Sequence, residues 1–117
     1  MARGPLDLTF PDDGDPGSDV TIAPSDVIGN GRKVVTTAGT AVVLASATPC
    51  TSVAITAETD NTGFVVVGAS DVIASLATRK GVPLEAGDSI TLEVSDLSLV
   101  YIDATVSGDG VTYTYLN

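Results

Sequence analysis

Residues 81–104 read GVPLEAGDSITLEVSDLSLVYIDA, and the hydrophobic pattern of this stretch decides the fold. Apolar and polar residues alternate in two runs, the first with Ile90, Leu92 and Val94 and the second with Val100, Ile102 and Ala104. Alternation with a period of two places the apolar side chains of a strand on one face. Two strands cannot bury these faces alone, so we expect a second sheet to pack against them.

The rest of the chain has the composition of such a sandwich. Val, Ile, Thr and Ala dominate, whereas Trp is absent and Phe and Tyr total five. β-Branched residues favour strands, and the shortage of aromatic residues predicts a core of small side chains. Turn residues separate seven candidate strands, at 33–37, 40–45, 50–57, 64–67, 90–94, 100–106 and 111–116. The sequence therefore predicts an all-β protein, a single antiparallel β-sandwich of about seven strands over residues 29–117.

Three local features need tertiary structure to settle them. Residues 33–37 and 40–45 form either a hairpin or a tight corner across Ala38 and Gly39. The run 107–110, SGDG, predicts a hairpin between strands 100–106 and 111–116, whereas the apolar run 64–67 predicts a strand buried on both faces. The segment 70–80, SDVIASLATRK, is either a short helix capped by Ser70 or Asp71, or a long loop with a short strand.

Residues 1–28 differ in composition from the sandwich. They hold four of the six prolines, and their six acids against one base give a charge of −5. Such a segment opposes helix and sheet and reads as an extended arm, which ends at Gly29-Asn30-Gly31. The arm is either a loose leader or a docking segment. Because a solvating tail needs no apolar residues, we predict docking through five candidate partner-binding residues: Leu6, Leu8, Phe10, Val20 and Ile22.

The charge of the chain restricts its partners. Lys and Arg total 5 against 15 Asp and Glu, which gives a net charge of −10. This balance predicts no contact with nucleic acid and no adsorption to an anionic membrane, since both depend on basic side chains. No apolar run approaches the ~20 residues that span a bilayer, and the first ten residues lack the apolar centre of a signal peptide. Synthesis in a cytoplasm is the resulting prediction.

The residues that usually carry catalysis are scarce. The chain has no histidine, and its single cysteine, Cys50, has no basic neighbour in sequence to lower its pKa. Asp103 and Asp109 are the candidates for a carboxylate pair. Asp103 is expected on the polar face of a strand and Asp109 in a turn, so both have ordinary structural interpretations. We therefore predict no catalytic residues and no enzymatic activity.

Two motifs suggest a bound metal or cofactor, and both fail on spacing. The acidic run 12–19, DDGDPGSD, begins like a calcium loop, but Gly17 falls on the fifth ligand position from Asp13 and no glutamate follows. Gly29-Asn30-Gly31 begins like a dinucleotide-binding loop, but its third glycine is missing and a strand pattern follows. The sequence thus predicts neither a metal site nor a cofactor.

A family resemblance adds an expectation about function. Residues 34–115, about 80 of the 117, resemble a small β-sandwich module of tailed-bacteriophage virion proteins. The matching segments are VTTAGTA at 35–41, NTG at 61–63 with VG at 67–68, GVPL at 81–84, AGDSITL at 86–92, DLS at 96–98, VYIDA at 100–104 and GVTY at 110–113. The arm lies outside the resemblance.

The resemblance implies a non-enzymatic structural part of a phage particle: a capsid decoration protein, a head fibre or a minor tail component. We predict a decoration or cement protein on the outer capsid surface, held to the major capsid protein or another virion protein by its arm. A tail, baseplate or head-fibre component is one alternative, and a carbohydrate- or receptor-binding sandwich is another. Homo-oligomers, with a trimer as the expected state, would supplement the modest core.

Overall fold

The computed structural model of the protein describes residues 24–117, which form two antiparallel sheets of four strands each. The strands are β1 Ile28–Val34, β2 Val42–Val43, β3 Ser52–Ala57, β4 Val65–Gly68, β5 Val82–Leu84, β6 Ser89–Leu92, β7 Tyr101–Ala104 and β8 Gly110–Leu116. Sheet I has the order β1-β8-β3-β6, and sheet II has the order β2-β7-β4-β5. The predicted fold class, an antiparallel β-sandwich, is confirmed.

Successive strands are shared between the two sheets. Each of the pairs β1-β2, β3-β4, β5-β6 and β7-β8 has one strand in each sheet, so its connection crosses from one layer to the other. The predicted hairpin between 100–106 and 111–116 is therefore wrong: β7 pairs with β2 and β4, whereas β8 pairs with β1 and β3. The chain does reverse at these turn residues, where Gly108 has a φ of 95°. Turn chemistry alone does not say whether the returning strand pairs or crosses over.

The core lies between the sheets and consists of small aliphatic side chains. Those with no measurable exposure include Val53 and Ile55 of β3, Val65 of β4, Ile102 of β7 and Val111 of β8. The inward set predicted for the second run, Val100, Ile102 and Ala104, is confirmed. Each fully buried Val or Ile contributes about 1.5–3 kcal/mol by leaving water, so the stability of the sandwich rests on many modest contributions.

Sheet II is covered on its outer face as well. Segment 69–81 folds over it, so that Val72 and Ala74 pack on Val66, with Tyr101 against this second cluster. The segment is a long loop with an isolated bridge between Ile73 and Lys80, close to the predicted loop alternative. Its one helical turn, a 3₁₀ turn at Leu76–Thr78, follows Ser75, so the predicted cap at Ser70 or Asp71 is wrong. The prediction of a strand buried on both faces at 64–67 is confirmed for Val65, Val66 and Val67.

Strand β1 begins before the glycines that were predicted to end the arm. Gly29-Asn30-Gly31 lies inside β1 and pairs with residues 113–115 of β8, so its interpretation as a break is wrong. Pairing continues toward the N-terminus, since the N–H groups of Asp26 and Val27 donate to the Asn117 carbonyl at 2.9 and 2.8 Å. The division into an arm at 1–28 and a domain at 29–117 stays a prediction, because residues 1–23 lie outside the described part.

The two glycines of β1 have a packing role. A Cβ on Gly31 would overlap the ring tip of Tyr113, and one on Gly29 would overlap the ring of Tyr115. Both rings pack against the core, with centroids 6.4 Å apart and planes tilted by 30°. Burial is also the main cause that raises the pKa of the Tyr113 phenol. Aromatic rings laid over glycines thus close the β1 edge of the sandwich.

Candidate interaction surface

The carboxylate of Asp103 is buried, with 1% of the residue exposed. Its oxygens accept from the N–H groups of Gly39, Ala74 and Ala104 at 3.0, 2.9 and 2.8 Å. The expectation that Asp103 faces water is wrong, because segment 69–81 covers that face of β7. Asp103 ties this segment and the β1–β2 corner to sheet II, and backbone donors occupy both of its oxygens.

Asp109 is also buried, with 5% exposure, although it lies in a turn as predicted. Its two oxygens accept from the N–H groups of Thr62 and Gly63 at 3.1 and 2.8 Å. Beside it, Asn61 bonds through its side chain to both backbone groups of Gly110. Asp109 and Asp103 therefore hold different loops in place, and these contacts account for them without a catalytic pair.

Cys50 is buried, and its thiol donates to the Val94 carbonyl at 3.1 Å. Loss of solvation raises the pKa of this thiol, and the negative charge of Asp96 raises it further. Since the thiolate is the reactive form, Cys50 is a poor nucleophile at neutral pH. Asp96 behaves in the opposite way. The N–H groups of Ser98 and Thr48, followed by the Ser98 hydroxyl, lower the pKa of its carboxyl group.

A depression of about 460 Å³ lies on sheet I, lined by Arg32, Glu58, Asp60 and neighbouring residues. Arg32 and Glu58 form a bidentate ion pair there, in which Nε donates to Oε2 and Nη2 donates to Oε1 at 3.1 Å. The hydrogen bond from Glu58 is the first cause that raises the pKa of Arg32. Because Arg32 occupies both oxygens of Glu58, this carboxylate is not placed to act as a general base.

Residues 24–117 contain no group of three or more Cys, Asp or Glu side chains arranged to hold a metal ion. The acidic run 12–19, which was weighed as a calcium loop, lies outside these residues. Within the described part, no helix has the length and apolar character needed to cross a membrane.

The five candidate partner-binding residues, Leu6, Leu8, Phe10, Val20 and Ile22, all lie outside the described residues, so their role stays a prediction. The structure does show where the arm joins the sandwich. Ser25 lies beside Thr51, with 3.4 Å between their hydroxyl oxygens, and residues 26 and 27 bond to the end of β8. The arm therefore leaves at the end of sheet I where β1 and β3 begin.

Exposed apolar side chains concentrate at this end of the sandwich. Ile28 is 72% exposed and pairs across strands with Leu116, and Val27 precedes it with 47% exposure. Leu99 is 57% exposed and belongs to the β6–β7 connection. This connection lies at the same end, because the N–H of Leu97 donates to the carbonyl of Thr48, which precedes β3. Four of the seven large apolar residues that are exposed in the described part lie here. This end of the sandwich thus exposes more large apolar side chains than the rest of the described part.

An apolar groove of about 370 Å³ opens between the edges of the two sheets. Ile90, Leu92 and Val94 form one wall, Val82 and Leu99 contribute to the others, and the remaining lining residues are valine, alanine and glycine. No polar or charged side chain of residues 24–117 lines this groove. Ile90, Leu92 and Val94 face inward as predicted but are only half-buried. The alternation identified these wall residues, whereas the gap beside them depends on how the two sheets diverge.

Comparisons with models of protein families, with curated proteins and with solved structures find no match for this chain.

Proposed function

We propose that this protein is a non-enzymatic structural protein of a tailed-phage virion, which decorates the outer surface of the capsid and stabilises it. The arm, with Leu6, Leu8, Phe10, Val20 and Ile22, holds it to the major capsid protein or to another virion protein. The protein is made in the host cytoplasm and acts on the particle. The proposal extends the resemblance of residues 34–115 to virion modules.

The observation that carries the attachment part of the proposal is the distribution of exposed apolar residues. Val27, Ile28 and Leu116 lie where the arm leaves the sandwich, and Leu99 is exposed at the same end of the sheets, beside the apolar groove at the β6 edge. Burial of such side chains against a partner releases about 25 cal/mol for each Å² of apolar surface removed from water. If the arm and the apolar surface beside it bind the same partner, binding of one raises the effective concentration of the other at its site. The combined affinity then exceeds that of either part alone.

The charge of the chain supports an outer rather than an inner location. With a net charge of −10, the protein is repelled by the phosphates of packaged DNA, which favours a position away from the inner face of the shell. The groups able to catalyse a reaction also have structural roles. The carboxylates of Asp103, Asp109 and Glu58 are bound by backbone or arginine donors.

A sugar- or receptor-binding role finds less support. Such sites commonly use exposed aromatic rings, whereas Tyr113 and Tyr115 pack on the core and Tyr101 packs on the second cluster. Phe64 lies under Arg79, whose guanidinium carbon is 5.0 Å from the ring centroid. The tyrosines and Phe64 thus have partners within the sandwich.

Copy number separates decoration of the capsid from a role in the tail or a fibre. Quantitative mass spectrometry of purified virions, scaled to the major capsid protein, measures it. We expect hundreds of copies per particle, on the order of one for each capsid subunit or each local symmetry axis. Three, six or twelve copies would instead place the protein in the tail, the baseplate or a vertex fibre.

We expect the decorating unit to be a homo-oligomer, with a trimer at three-fold positions of the capsid lattice. A sandwich built mainly from Val, Ala and Ile has a modest core, and association adds buried area. Sedimentation equilibrium gives the mass of the free protein. A monomer mass would contradict a preformed oligomer, and isolated copies on the particle would contradict the trimer altogether.

A further inference from the structure

The groove lies between two strands that have no neighbour on one side. In sheet I, β6 pairs only with β3, and in sheet II, β5 pairs only with β4 among the described residues. An edge strand presents unpaired backbone N–H and C=O groups, and proteins commonly cover such an edge. Here the apolar wall and the free edge of β6 lie together. A segment that filled the gap would need alternating apolar residues and an extended backbone.

The described start of the chain runs toward this groove. From β1 the chain passes the end of β8, where Asp26 and Val27 bond to Asn117, and then the start of β3, where Ser25 lies beside Thr51. Sheet I has the order β1-β8-β3-β6, so β6 is the next strand on this path. The residues after β6 are within reach, because Cys50, adjacent to Thr51, bonds to the carbonyls of Val94 and Ser95.

We propose that residues 19–23 of the same chain dock in this groove, with Val20 and Ile22 against its apolar wall. The sequence here is DVTIA, in which two β-branched apolar residues alternate with polar ones, so an extended backbone places both on one face. Pro24 restricts the residue before it to extended conformations. Ile22 is three residues from Ser25 and Val20 is five, which gives reaches of about 10 and 16 Å at ~3.3 Å per residue.

This inference goes beyond the proposed function and changes one part of it, since Val20 and Ile22 would bind within the chain and not to the virion partner. Val20 and Ile22 complete the chain's own sandwich, and Leu6, Leu8 and Phe10 remain for the virion partner. Docking needs no particle, so it can fail while the virion role holds, and the reverse is equally possible.

A double-mutant cycle in the full-length protein tests the contact. Ile22→Ala and Leu99→Ala are made singly and together, and thermal unfolding is measured for each. Each single variant should lower Tm by about 4–8 °C, the shift that corresponds to a modest apolar contact in a domain of this size. The double variant should unfold close to the single ones, since residues in contact give non-additive changes.

The matched control is a second cycle in which Leu76→Ala takes the place of Leu99→Ala. Leu76 is 80% exposed on the outer side of sheet II. Leu76→Ala alone should leave Tm within about 2 °C of the unmodified protein, as is usual for exposed positions. In the variant that combines Leu76→Ala with Ile22→Ala, the change in Tm should equal the sum of the two single changes. A second control, Phe10→Ala with Leu99→Ala, should also be additive, because Phe10 belongs to the part of the arm left for the partner.

Three results would overturn the proposal. Additive behaviour of Ile22→Ala and Leu99→Ala would mean that the two residues do not touch. Coupling of Phe10 rather than Ile22 to Leu99 would assign the groove to another segment. Coupling that appears only at tenfold higher protein concentration, together with a dimer or larger mass, would assign the groove to the arm of a second copy. Coupling independent of concentration supports docking within one chain.

Discussion

The two lateral edges of the sandwich are finished in different ways. At the β1 edge, the rings of Tyr113 and Tyr115 lie over Gly29 and Gly31 and seal the core from within the sheet. At the β6 edge, Ile90 and Leu92 point inward but stay half-buried beside an apolar groove. One edge is thus complete in residues 24–117, whereas the other has an apolar wall without a covering element among these residues.

The difference shows how few aromatic residues this core needs. Two tyrosines are enough at one edge because glycine in the neighbouring strand leaves room for their rings. The other edge has only aliphatic side chains, which are too short to close the gap from one wall. A segment that covers this edge would bury the apolar wall, and the described chain runs from β1 past Asn117 to Thr51, toward β6.

The largest expected effect is at the open edge and concerns Gly81. This residue has a φ of 119°, and a Cβ would lie 2.6 Å from the Val67 carbonyl oxygen and 2.8 Å from a methyl group of Val66. Gly81→Ala should therefore lower the free energy of unfolding by at least about 2–3 kcal/mol, since strain and overlap combine. Chemical denaturation measures the change.

Gly87→Ala is the control for backbone strain alone. Gly87 has a φ of 88°, but a Cβ at this position would meet no atom within 4 Å beyond its chain neighbours. The substitution should cost about 1 kcal/mol, because a residue with a Cβ is strained in the left-handed conformation. Equal losses for the two variants would mean that the atoms around Gly81, in Val66, Val67 and Val72, yield easily and that the close approach is unimportant.

At the closed edge, Tyr113→Ala should lower the free energy of unfolding by about 2 kcal/mol. Removal of a fully buried aromatic ring costs about 3–5 kcal/mol, and Tyr113 is half-buried. Tyr113→Phe keeps the ring over Gly31 and should lose much less. If the alanine variant were as stable as the phenylalanine variant, the ring would not be what seals this edge.

The smallest effect concerns the connection that carries Leu99 at the open edge. Because hydrogen bonds lower the pKa of Asp96 in the folded protein, its ionised form is bound more tightly there than in the unfolded chain. Its stabilising contribution is fully present above the unfolded pKa of about 3.9 and is lost as the pH falls through the lower folded value. Asp96→Asn keeps the acceptor oxygen but should flatten this dependence.

Denaturation midpoints of the unmodified protein and of Asp96→Asn, measured between about pH 2 and pH 6 to span the titration of a carboxyl group, test the assignment. The two curves should differ most above about pH 4 and converge in acid. Parallel curves over the whole range would mean that another carboxylate accounts for any loss of stability in acid.

The alternation of apolar residues was sufficient to predict the sandwich and most of its inward faces. Val100, Ile102 and Ala104 occupy the core positions that their spacing indicates. Which strands pair with each other was harder to predict from the sequence. Gly29-Asn30-Gly31 has turn composition, but pairing with β8 and the covering tyrosine rings hold it in a strand. Tertiary contacts outweigh a local turn preference of this kind.

The buried carboxylates could not be placed from sequence. Asp103 alternates with apolar residues as a water-facing residue would, and only the folding of segment 69–81 over sheet II buries it. The groove depends in the same way on the relative position of two sheet edges. The five candidate residues of the arm remain predictions, because they lie outside residues 24–117.

Particle binding tests the central claim, that the arm attaches this sandwich to a virion, most directly. The full chain and a chain that begins at residue 24 are titrated onto capsids that lack the protein, and bound protein is measured after sedimentation. Residues 24–28 are kept because Asp26 and Val27 bond to Asn117. We predict that the shortened chain still unfolds cooperatively and binds at least about tenfold more weakly, a loss of about 1.4 kcal/mol or more. Equal affinity of the two chains would contradict the claim and assign attachment to the sandwich itself.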